Sequence, residues 1–512
     1  MQHYRVNHIV IVGGGTAGWM TAARLAKHFA QTSVKITLVE SSQLGTVGVG
    51  EATIPTLRRF YQALGMSDLD VIRKTGATVK LGIEFQDWHR QGSSFVHPFG
   101  LFGHEANGIR FHHYWLKLRD SGDQAALEEY SLAIAMARAN KFTLPLENPA
   151  SPLSIFDWAL HFDASLFAQL MRDYALEKQV EYQDAKVTAV NLDSNTGFIK
   201  SLQLDHQHTL MGDLFIDCSG FSGLLIHDAL KTDYIDWSQW LLCDRALAVQ
   251  SELVGEPVAR TLAKAHSAGW QWKIPLQHRQ GNGHVYASDF IGDEQAEATL
   301  LQHIDGRLIN NPRKIQFAAG RRVQAWNKNC VALGLAAGFL EPLESTSIAL
   351  IETGIERIRA TFSTPFFDQQ KINEFNQVTA LEWERVRDFI ILHYKLNQRD
   401  DTEFWRYCRA MTVPDSLQEK IQAWHERGDL LHCPQEIFHP DSWLAIYNGF
   451  GCYPRQYDNR VDRLDPAYLQ QSFAAMRKSI ADTVASFPAH PAFIASALMH
   501  TNQTQALHNV CE

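Results

Sequence analysis

A strand, a glycine loop and a helix at the N-terminus constrain the fold of this chain more than any other feature. Residues 9–12 form a short apolar run, as expected of a buried parallel strand, and lead directly into the glycine-rich segment 13–18. Gly13, Gly15 and Gly18 fit the pattern G-x-G-x-x-G. In this pattern the first glycine makes a tight turn, the second admits a pyrophosphate, and the third lets the helix pack on the strand. The segment therefore predicts a βαβ unit that binds a dinucleotide.

The residues that follow complete this unit. A helix is predicted from Trp19 to Phe29, and a second strand, 34–39, ends at Glu40, which lies 22 residues after Gly18. A carboxylate at that position can accept hydrogen bonds from both ribose hydroxyls of a dinucleotide. The phosphates would lie at the helix N-terminus, where free N–H groups and the helix dipole favour an anion.

Two later segments indicate which dinucleotide is bound. A strand closing on a small turn is predicted at 213–220, and a second glycine-rich segment follows at 331–338. We find no second G-x-G-x-x-G in a strand–helix context that would serve a nicotinamide nucleotide. This distribution resembles FAD-dependent monooxygenases, in which Gly334 and Leu335 would approach the flavin. If the chain uses reduced flavin, a separate flavin reductase supplies it.

Composition excludes several other classes of protein. The net charge of −9 argues against nucleic-acid binding and against a polybasic membrane contact. No apolar run approaches the length needed to span a bilayer. The seven cysteines, Cys511 among them, form no C-x-x-C pair, and the 23 histidines form no metal-binding pattern. We therefore expect a cytoplasmic protein with reduced thiols and no bound metal.

Two tryptophans alternate in the segment 269–276. On a strand, Trp270 and Trp272 would share a face as one aromatic wall, and Pro275 would end the ladder soon afterwards. From the pattern alone, the favoured interpretation is a wall in a core or in a hairpin.

Four segments together resemble the flavin-dependent halogenases, the group that includes the tryptophan halogenases. They are residues 13–20 (GGGTAGWM), 50–55 (GEATIP), 270–275 (WQWKIP) and 342–348 (PLESTSI). The Trp-x-Trp-x-Ile-Pro signature is the most specific of them. The resemblance implies an α/β fold, with a Rossmann-like FAD module of the flavin monooxygenase type and a mixed, mostly helical substrate module.

Module boundaries and cofactor contacts follow from this resemblance. We expect the FAD module to be discontinuous and to comprise residues 1–90, 151–230 and 320–365. The substrate module would comprise 91–150, 231–319 and 366–512. The residues expected to contact FAD are Gly13, Gly15, Thr16, Ala17, Gly18, Glu40, Gly50, Glu51, Ala52, Gly334 and Leu335.

The family's chemistry assigns a role to the alternating tryptophans. Reduced FAD reacts with O2 to give a flavin hydroperoxide, which oxidises chloride or bromide to hypohalous acid, and this oxidant passes through a tunnel to a separate substrate pocket. The resemblance implies that the tunnel is lined by Trp270, Trp272, Ile274 and Pro275. The two indoles would keep the organic substrate away from the flavin, where it would be hydroxylated directly.

Lys80 matches the position of the essential lysine of the family that the chain resembles. Residues 78–85 alternate apolar and polar, so the pattern alone would put Lys80 on a solvated strand face. In the halogenase interpretation its ammonium donates a hydrogen bond to hypohalous acid, or its neutral amine carries the halogen as a haloamine. Burial favours the neutral form, and both alternatives stay open.

A second catalytic candidate, Glu344, precedes a predicted helix. Ordinarily a glutamate in a first helical turn interacts with the helix dipole. The resemblance implies instead that Glu344 polarises the oxidant or accepts the proton that leaves the ring, and that backbone N–H groups of Thr346 and Ser347 hold the halide. Tryptophan-specific enzymes carry glycine where this chain has Ser347, and we take this departure to favour bromide.

The substrate is expected to be an electron-rich aromatic. His97 and Phe99 lie in a segment that resembles the family's stacking segment and would sandwich an indole-like ring. Further aromatic candidates are Trp443, Tyr447, Phe450 and Tyr453. We find no tyrosine-rich lid of the kind that clasps free tryptophan. Indole, or a larger indole-containing or phenolic molecule, fits better.

Two alternatives remain beside the halogenase. A flavin-dependent aromatic monooxygenase would hydroxylate its substrate without halide and would not need Lys80, and a flavin-binding protein without chemistry would take up FAD but not turn over. The joint presence of Lys80, Glu344 and the tryptophan pair favours halogenation. A homodimer is compatible with the sequence, which does not fix the oligomeric state.

Overall fold

The computed structural model describes residues 4–43, 50–149, 151–362, 364 and 366–499. The chain divides into two compact units, each built from three segments. Unit 1 comprises Met1–Gly76, Phe162–Arg245 and Ile315–Arg387, and unit 2 comprises Ala77–His161, Ala246–Lys314 and Asp388–Glu512.

Strands and helices alternate along most of the chain. The strands are β1 (Tyr4–Arg5), β2 (His8–Val12), β3 (Lys35–Glu40), β4 (Gly50–Ala52), β5 (Thr78–Lys80), β6 (Gly82–Gln86), β7 (Ser94–Pro98), β8 (Ala159–Asp163), β9 (Glu181–Asp184), β10 (Val187–Leu192), β11 (Ile199–Leu204), β12 (Thr209–Met211), β13 (Leu214–Asp217), β14 (Tyr234–Asp236), β15 (Arg245–Ser251), β16 (Thr261–His266), β17 (Gly269–Pro275), β18 (Gln280–Tyr286), β19 (Arg313–Gln316), β20 (Gly320–Arg322), β21 (Trp326–Asn327), β22 (Cys330–Ala332), β23 (Gly338–Phe339) and β24 (Phe366–Phe367). The α-helices are α1 (Thr16–Phe29), α2 (Thr56–Gln62), α3 (Asp68–Thr75), α4 (Phe111–Asp120), α5 (Leu132–Ala139), α6 (Ala164–Glu177), α7 (Asp293–Gln302), α8 (Ser347–Thr361), α9 (Gln369–Lys395), α10 (Glu403–Ala410), α11 (Asp415–Arg427), α12 (Pro440–Gly449), α13 (Pro466–Ser486) and α14 (His490–Met499).

Unit 1 is built around a six-stranded sheet in the order β21-β22-β13-β2-β3-β9. Its five strands from β22 to β9 are parallel, and only β21 runs antiparallel to its neighbour. Strand β2 lies in the middle with four buried residues in succession, as the apolar run predicted. Helix α1 connects β2 to β3, so the βαβ unit predicted at the N-terminus is present.

Unit 2 contains a seven-stranded sheet in the order β19-β15-β18-β17-β16-β6-β7. Strand β17 lies between β16 and β18 and is antiparallel to both. It ends at Pro275, as predicted, because proline has no N–H to continue the ladder. A separate antiparallel ladder joins β5 to β8. In the described part of residues 396–499 the regular elements are all helical.

Some boundaries between the units differ from the expected ones. Residues 77–90 lie in unit 2 and residues 366–387 lie in unit 1. Strand pairing explains the first difference, because β6 joins the large sheet of unit 2 through β7 and β16. The sequence has helical periodicity at 380–394 and 465–486, and these residues lie in α9 and, from Pro466 onward, in α13.

The six cysteines that lie in the described part of the chain are free thiols. Cys511 lies outside the described residues. None of the described helices is long and apolar enough to cross a membrane.

Four buried histidines of unit 2 make its stability depend on pH. Burial lowers the pKa of His112 and of His266 to about 3, and of His284 and of His490 to about 4, from an ordinary value of 6.5. The unfolded chain therefore binds more protons than the folded chain between those values. The contribution of these four histidines to the free energy of unfolding therefore has its full value above pH 6.5. It decreases as the pH falls toward 4.

We expect His284→Asn to flatten that dependence. The asparagine amide keeps the hydrogen bond that the Nδ1 of His284 donates to the carbonyl of Ala296 (2.9 Å), but it does not titrate. Between pH 7.5 and 5.0 the variant should lose about 2 kcal/mol less than the wild type, measured by urea unfolding at each pH. The control is His206→Gln, because the side chain of His206 is 55% exposed. Equal losses in wild type and in His284→Asn would contradict the assignment.

Candidate active site

In the glycine loop of unit 1, Gly13 and Gly18 lie so close to backbone atoms that neither position admits a side chain. Gly13 has a φ of 109°, and a Cβ there would lie 2.2 Å from the carbonyl oxygen of Cys218. A Cβ on Gly18 would lie 1.8 Å from the carbonyl oxygen of Gly13. Gly13 therefore lets the loop lie against the chain at the end of β13, and Gly18 lets the first turn of α1 lie against the loop.

Gly15 differs from these two because the space beside it is open. It precedes α1, has an ordinary φ of −73° and caps the helix without a side-chain hydrogen bond. A Cβ on Gly15 would meet no atom within 4 Å. The N–H groups of a first helical turn have no partner in the helix, so an open helix N-terminus lined by Thr16 and Ala17 fits a pyrophosphate.

The second glycine-rich segment lies against the first. Gly334 has a φ of +60°, and a Cβ there would lie 3.1 Å from the Cβ of Ala17. Gly334, Leu335 and Ala336 form a single 3₁₀ turn. The structure thus brings together two segments that are more than 300 residues apart in the sequence.

Glu40 ends β3 beside the glycine loop. A Cβ on Gly14 would lie 1.5 Å from Oε2 of Glu40, so Gly14, to which the sequence had assigned no role, makes room for this carboxylate. Burial raises the pKa of Glu40, while the guanidinium of Arg172 acts in the opposite direction at 3.7 Å. Arg172 also lies over the ring of Tyr182 (4.5 Å). A carboxylate held here can accept hydrogen bonds from a ribose.

Two carboxyl groups of unit 1 titrate near neutral pH. Glu51 lies in β4, between Gly50 and Ala52, and burial of its carboxyl group raises its pKa to about 7. Burial also raises the pKa of Glu352 in α8 to about 7. Sequence reasoning missed Glu352, although an acidic residue among the apolar positions of α8 is a recognisable signal of an unusual environment.

Gly15→Ala tests whether the open helix N-terminus binds the cofactor. Because the new methyl group meets no protein atom, we expect the melting temperature to stay within about 1 °C of the wild-type value. The methyl group would occupy the space that a pyrophosphate approaches, so the Kd for FAD, measured by flavin fluorescence, should rise about tenfold or more. Gly292→Ala is a matched control, since Gly292 also precedes a helix, has a φ of −73° and has open space at its Cβ. Unchanged FAD affinity in Gly15→Ala would contradict the site.

Glu344 does not lie in the first turn of a helix, contrary to the ordinary interpretation. It is fully buried at the end of a separate 3₁₀ turn, Pro342–Glu344. Ser345 then adopts a left-handed conformation, with a φ of 59°, before α8 begins at Ser347. The helix predicted after this segment is confirmed as α8, but Glu344 lies outside its first turn.

The N-terminus of α8 has the features of an anion site. Thr346 precedes the helix and makes no side-chain cap, and Ser347 is its first residue. Thr346 is fully buried, and its hydroxyl has no hydrogen-bond partner among the described residues. A buried hydroxyl without a partner, next to a helix N-terminus, can donate to a small anion such as a halide.

Lys80 of unit 2 is not on a solvated strand face. It is fully buried at the end of β5, opposite Ala159 of β8. The alternating pattern was misleading because the strand is interrupted at Leu81, whose N–H bonds to the carbonyl of Ala259 (2.9 Å). The Nζ of Lys80 lies 5.1 Å from the centre of the Phe99 ring.

A chain of hydrogen bonds links the Lys80 strand to the tryptophan strand. The hydroxyl of Thr78 donates to the carbonyl of Pro275 (2.6 Å), so it accepts a hydrogen bond from Nδ1 of His161 (3.1 Å). The Nε2 of His161 then accepts from the hydroxyl of Thr261 (2.8 Å). Burial, and after it the charge of Lys80, keeps the pKa of His161 well below its ordinary value.

The alternating tryptophans form one wall, as predicted. Trp270 and Trp272 are buried, and their ring centres are 6.0 Å apart. The ring of Trp272 covers Gly283 on the neighbouring strand, where a Cβ would lie 2.0 Å from the indole. Ile274 and Pro275 are also buried.

His97 and Phe99 lie at the end of β7 and just after it. Their rings meet edge to face, with centres 6.4 Å apart, and therefore present one aromatic surface. Two residues that the sequence did not single out extend it, because His97 also contacts Phe389 (5.7 Å) and Phe438 (6.2 Å).

The other aromatic candidates do not all lie at this surface. Trp443 joins this surface through Phe389 (5.0 Å), and Tyr447 lies 6.4 Å from Trp443. Phe450 contacts Phe95 instead. Tyr453 lies against Trp115 and Arg119.

The parallel sheet, the glycine loop and the carboxylate of Glu40 beside it define unit 1 as a Rossmann-like dinucleotide-binding module. The family model for tryptophan halogenase matches residues 8–466. The chain therefore belongs to the tryptophan halogenase family, whose enzymes are flavin-dependent, and it is an enzyme of that class.

Individual relatives are similar to this chain over nearly its whole length. BrvH, a flavin-dependent halogenase from Brevundimonas sp. BAL3, is similar in structure with a TM-score of 0.94 and 56% identity, covering 96% of this chain and 99% of that one. A flavin-dependent halogenase from Xanthomonas campestris has a TM-score of 0.93 and 40% identity, with coverage of 96% and 98%. Tryptophan 6-halogenase SttH of Streptomyces toxytricini is 34% identical, with coverage of 95% and 98%.

Proposed function

We propose that this protein uses FADH2, O2 and a halide to halogenate an electron-rich aromatic such as indole, with Lys80 and Glu344 as its catalytic residues. The halide would be oxidised to hypohalous acid in unit 1, and the oxidant would pass Trp270 and Trp272 to reach Lys80. A separate flavin reductase would supply the reduced cofactor.

The observation that carries this proposal is the burial of Lys80 against an aromatic ring. A lysine is seldom fully buried, and the Nζ of Lys80 lies 5.1 Å from the centre of the Phe99 ring. An electrophile beside this amine would therefore be presented at an aromatic surface.

FAD fits the residues of unit 1. We propose that the open N-terminus of α1 at Gly15 holds the pyrophosphate, that Glu40 holds a ribose, and that Gly334 and Leu335 approach the flavin. Glu51, whose pKa is about 7, would lie near the cofactor with Gly50 and Ala52. When bound in reduced form, FAD together with O2 supplies the oxidising equivalents that convert a halide ion into hypohalous acid.

The protein's own residues then direct the oxidant. The buried hydroxyl of Thr346 and the first N–H groups of α8, including that of Ser347, would hold the halide before oxidation. The indole rings of Trp270 and Trp272 would keep the organic substrate apart from the site of oxidation. Ile274 is buried on the same face of β17 and Pro275 is buried at the end of the strand, and both would line the path of the oxidant.

Halogen transfer needs a polarised oxidant and a proton acceptor. We propose that Lys80 donates a hydrogen bond to the hydroxyl oxygen of hypohalous acid, or carries the halogen on its amine. The ring carbon forms a bond to the halogen as the halogen–oxygen bond breaks, hydroxide leaves and takes up a proton as water, and the ring proton departs. Glu344 would accept that ring proton or polarise the oxidant.

The substrate would stack on the surface formed by His97 and Phe99. Phe389, Phe438 and Trp443 extend that surface, so a ring system at least as large as indole is well matched to it. Several relatives are named for tryptophan, but we propose indole or an indole derivative for this chain.

Mass spectrometry of indole after incubation with the protein, FAD, a flavin reductase, NADH and O2 tests this function. With bromide we expect monobrominated indole, and without halide we expect unmodified indole. With equal concentrations of chloride and bromide, the brominated product should dominate.

Hydroxylated indole in the absence of halide would show that the protein is a monooxygenase. FAD binding without any product from indole or related aromatics would favour a binding protein without chemistry. Equal yields with chloride alone and bromide alone would remove the bromide preference only.

A further inference from the structure

The strand that carries Lys80 is held on the side opposite β8 by a residue far away in the sequence. The N–H of Val79, immediately before Lys80, donates a hydrogen bond to Nε2 of His490 (3.1 Å). The two residues are 411 positions apart. His490 is fully buried at the first position of α14.

The hydrogen bonds of His490 define its protonation state. Because Val79 N–H is a donor, Nε2 must accept and carries no proton. The Nδ1 therefore carries the proton and donates it to the carbonyl of Pro257 (3.0 Å). Burial lowers the pKa of His490 to about 4, so this neutral form persists at the pH of the reaction.

Both neighbours of Lys80 are tied to the same short segment. His490 connects Val79 to Pro257, and the N–H of Leu81 donates directly to the carbonyl of Ala259 (2.9 Å). The backbone on either side of Lys80 thus converges on residues 257–259. The direction of the Lys80 side chain follows from these two anchors.

Asn140 closes the arrangement. Its side chain donates to the carbonyl of Pro257 (3.2 Å) and accepts from the N–H of Ala259 (3.0 Å). The backbone carbonyl of Asn140 accepts a hydrogen bond from the backbone N–H of His490 (2.8 Å). Both ring nitrogens of His490 and the carbonyl groups of Pro257 and Ala259 therefore have hydrogen-bond partners. This network makes the backbone around Lys80 rigid.

We propose that His490 is a positioning residue for halogen transfer, because its unprotonated Nε2 fixes the backbone from which Lys80 projects. His490 does not touch the oxidant or the ring. This inference rests on the proposed function of Lys80. A displacement of about 1 Å at a reacting group is enough to lower a rate 100-fold.

A matched pair of amide substitutions separates the two hydrogen bonds of His490. In His490→Gln the side-chain oxygen reaches the place of Nε2 and can accept from Val79. In His490→Asn the shorter amide reaches only the place of Nδ1, so the bond to Pro257 is kept and the bond to Val79 is lost. Both variants are uncharged and polar, which limits differences in folding.

We expect His490→Asn to lower kcat for bromination of indole about 10- to 100-fold, with the KM for indole and the Kd for FAD within about twofold of wild type. His490→Gln should keep kcat within about threefold of wild type. A general loss of structure would change the FAD affinity and the KM as well, so the split between kcat and KM identifies positioning.

Wild-type kcat in His490→Asn would overturn the inference, and so would equal losses in the two variants. If His490→Asn does not fold, His490→Gln decides alone, because a loss of kcat in that variant with normal FAD affinity also overturns it. Absence of brominated product from the wild-type protein is a different result and counts against the proposed function.

Discussion

Lys80→Met should abolish halogenation while leaving the flavin site intact. Methionine has nearly the length of lysine and fills the buried space opposite Ala159, but it can neither donate a hydrogen bond nor carry a halogen. We expect the yield of brominated indole to fall about 10³-fold or more. The Kd for FAD, measured by fluorescence, should stay within about twofold of wild type, because Lys80 and the glycine loop belong to different units.

Lys264→Met provides the control for this substitution. Lys264 is also a strand lysine of unit 2, but it is partly exposed and pairs with Asp87 at 3.3 Å on the protein surface. Its replacement should leave the bromination rate unchanged. Bromination by Lys80→Met at the wild-type rate would remove this lysine from the mechanism.

Glu344→Gln should have the second-largest effect. Glutamine keeps the size of the buried side chain but cannot accept a proton, so we expect kcat to fall about 100-fold. If Glu344 accepts the proton of the ring, loss of that proton becomes slow in the variant. Substrate deuterated at the position of halogenation should then show a primary isotope effect that the wild type lacks.

The matched control for Glu344 is Glu374→Gln. Glu374 lies on α9, where its carboxylate accepts a hydrogen bond from the side chain of Gln370 (2.9 Å) and is exposed. It should behave as wild type. A wild-type kcat in Glu344→Gln, or an isotope effect of the same size in both proteins, would show that Glu344 is not the proton acceptor.

The cofactor module could be predicted from the sequence because its signals are local. The glycine loop, the apolar run of β2 and the carboxylate of Glu40 lie within the first 40 residues, and each has a direct steric or hydrogen-bonding reason. The space that Gly14 leaves for Glu40 was missed, because it depends on the register between the loop and β3.

The environment of Lys80 could not be predicted from its neighbours in the sequence. An alternating pattern describes a half-exposed strand equally well, and burial here arises from residues far along the chain. His161 pairs with Thr78 from 83 positions away, and His490 bonds to Val79 from 411 positions away. Only the resemblance to a family singled out this lysine.

The surroundings of Glu344 show a second limit of sequence reasoning. The apolar spacing after residue 347 correctly predicted α8, but it could not show that Ser345 adopts a left-handed conformation. Ser345 and Thr346 together separate the 3₁₀ turn of Glu344 from the helix. Phe389 and Phe438 were missed for a similar reason, since aromatic residues in helical segments are ordinary core residues unless the fold brings them to His97.

The most direct test of the account is to trap the oxidant that Lys80→Met cannot use. The variant is incubated with FAD, a flavin reductase, NADH, O2, bromide, indole and monochlorodimedone, a small molecule that captures hypobromous acid. If halide oxidation and halogen transfer occur at separate sites, the trap should be brominated in an amount that matches the bromoindole lost relative to wild type. An untouched trap, with NADH still consumed, would mean that Lys80 is needed for halide oxidation itself and would contradict two separate sites.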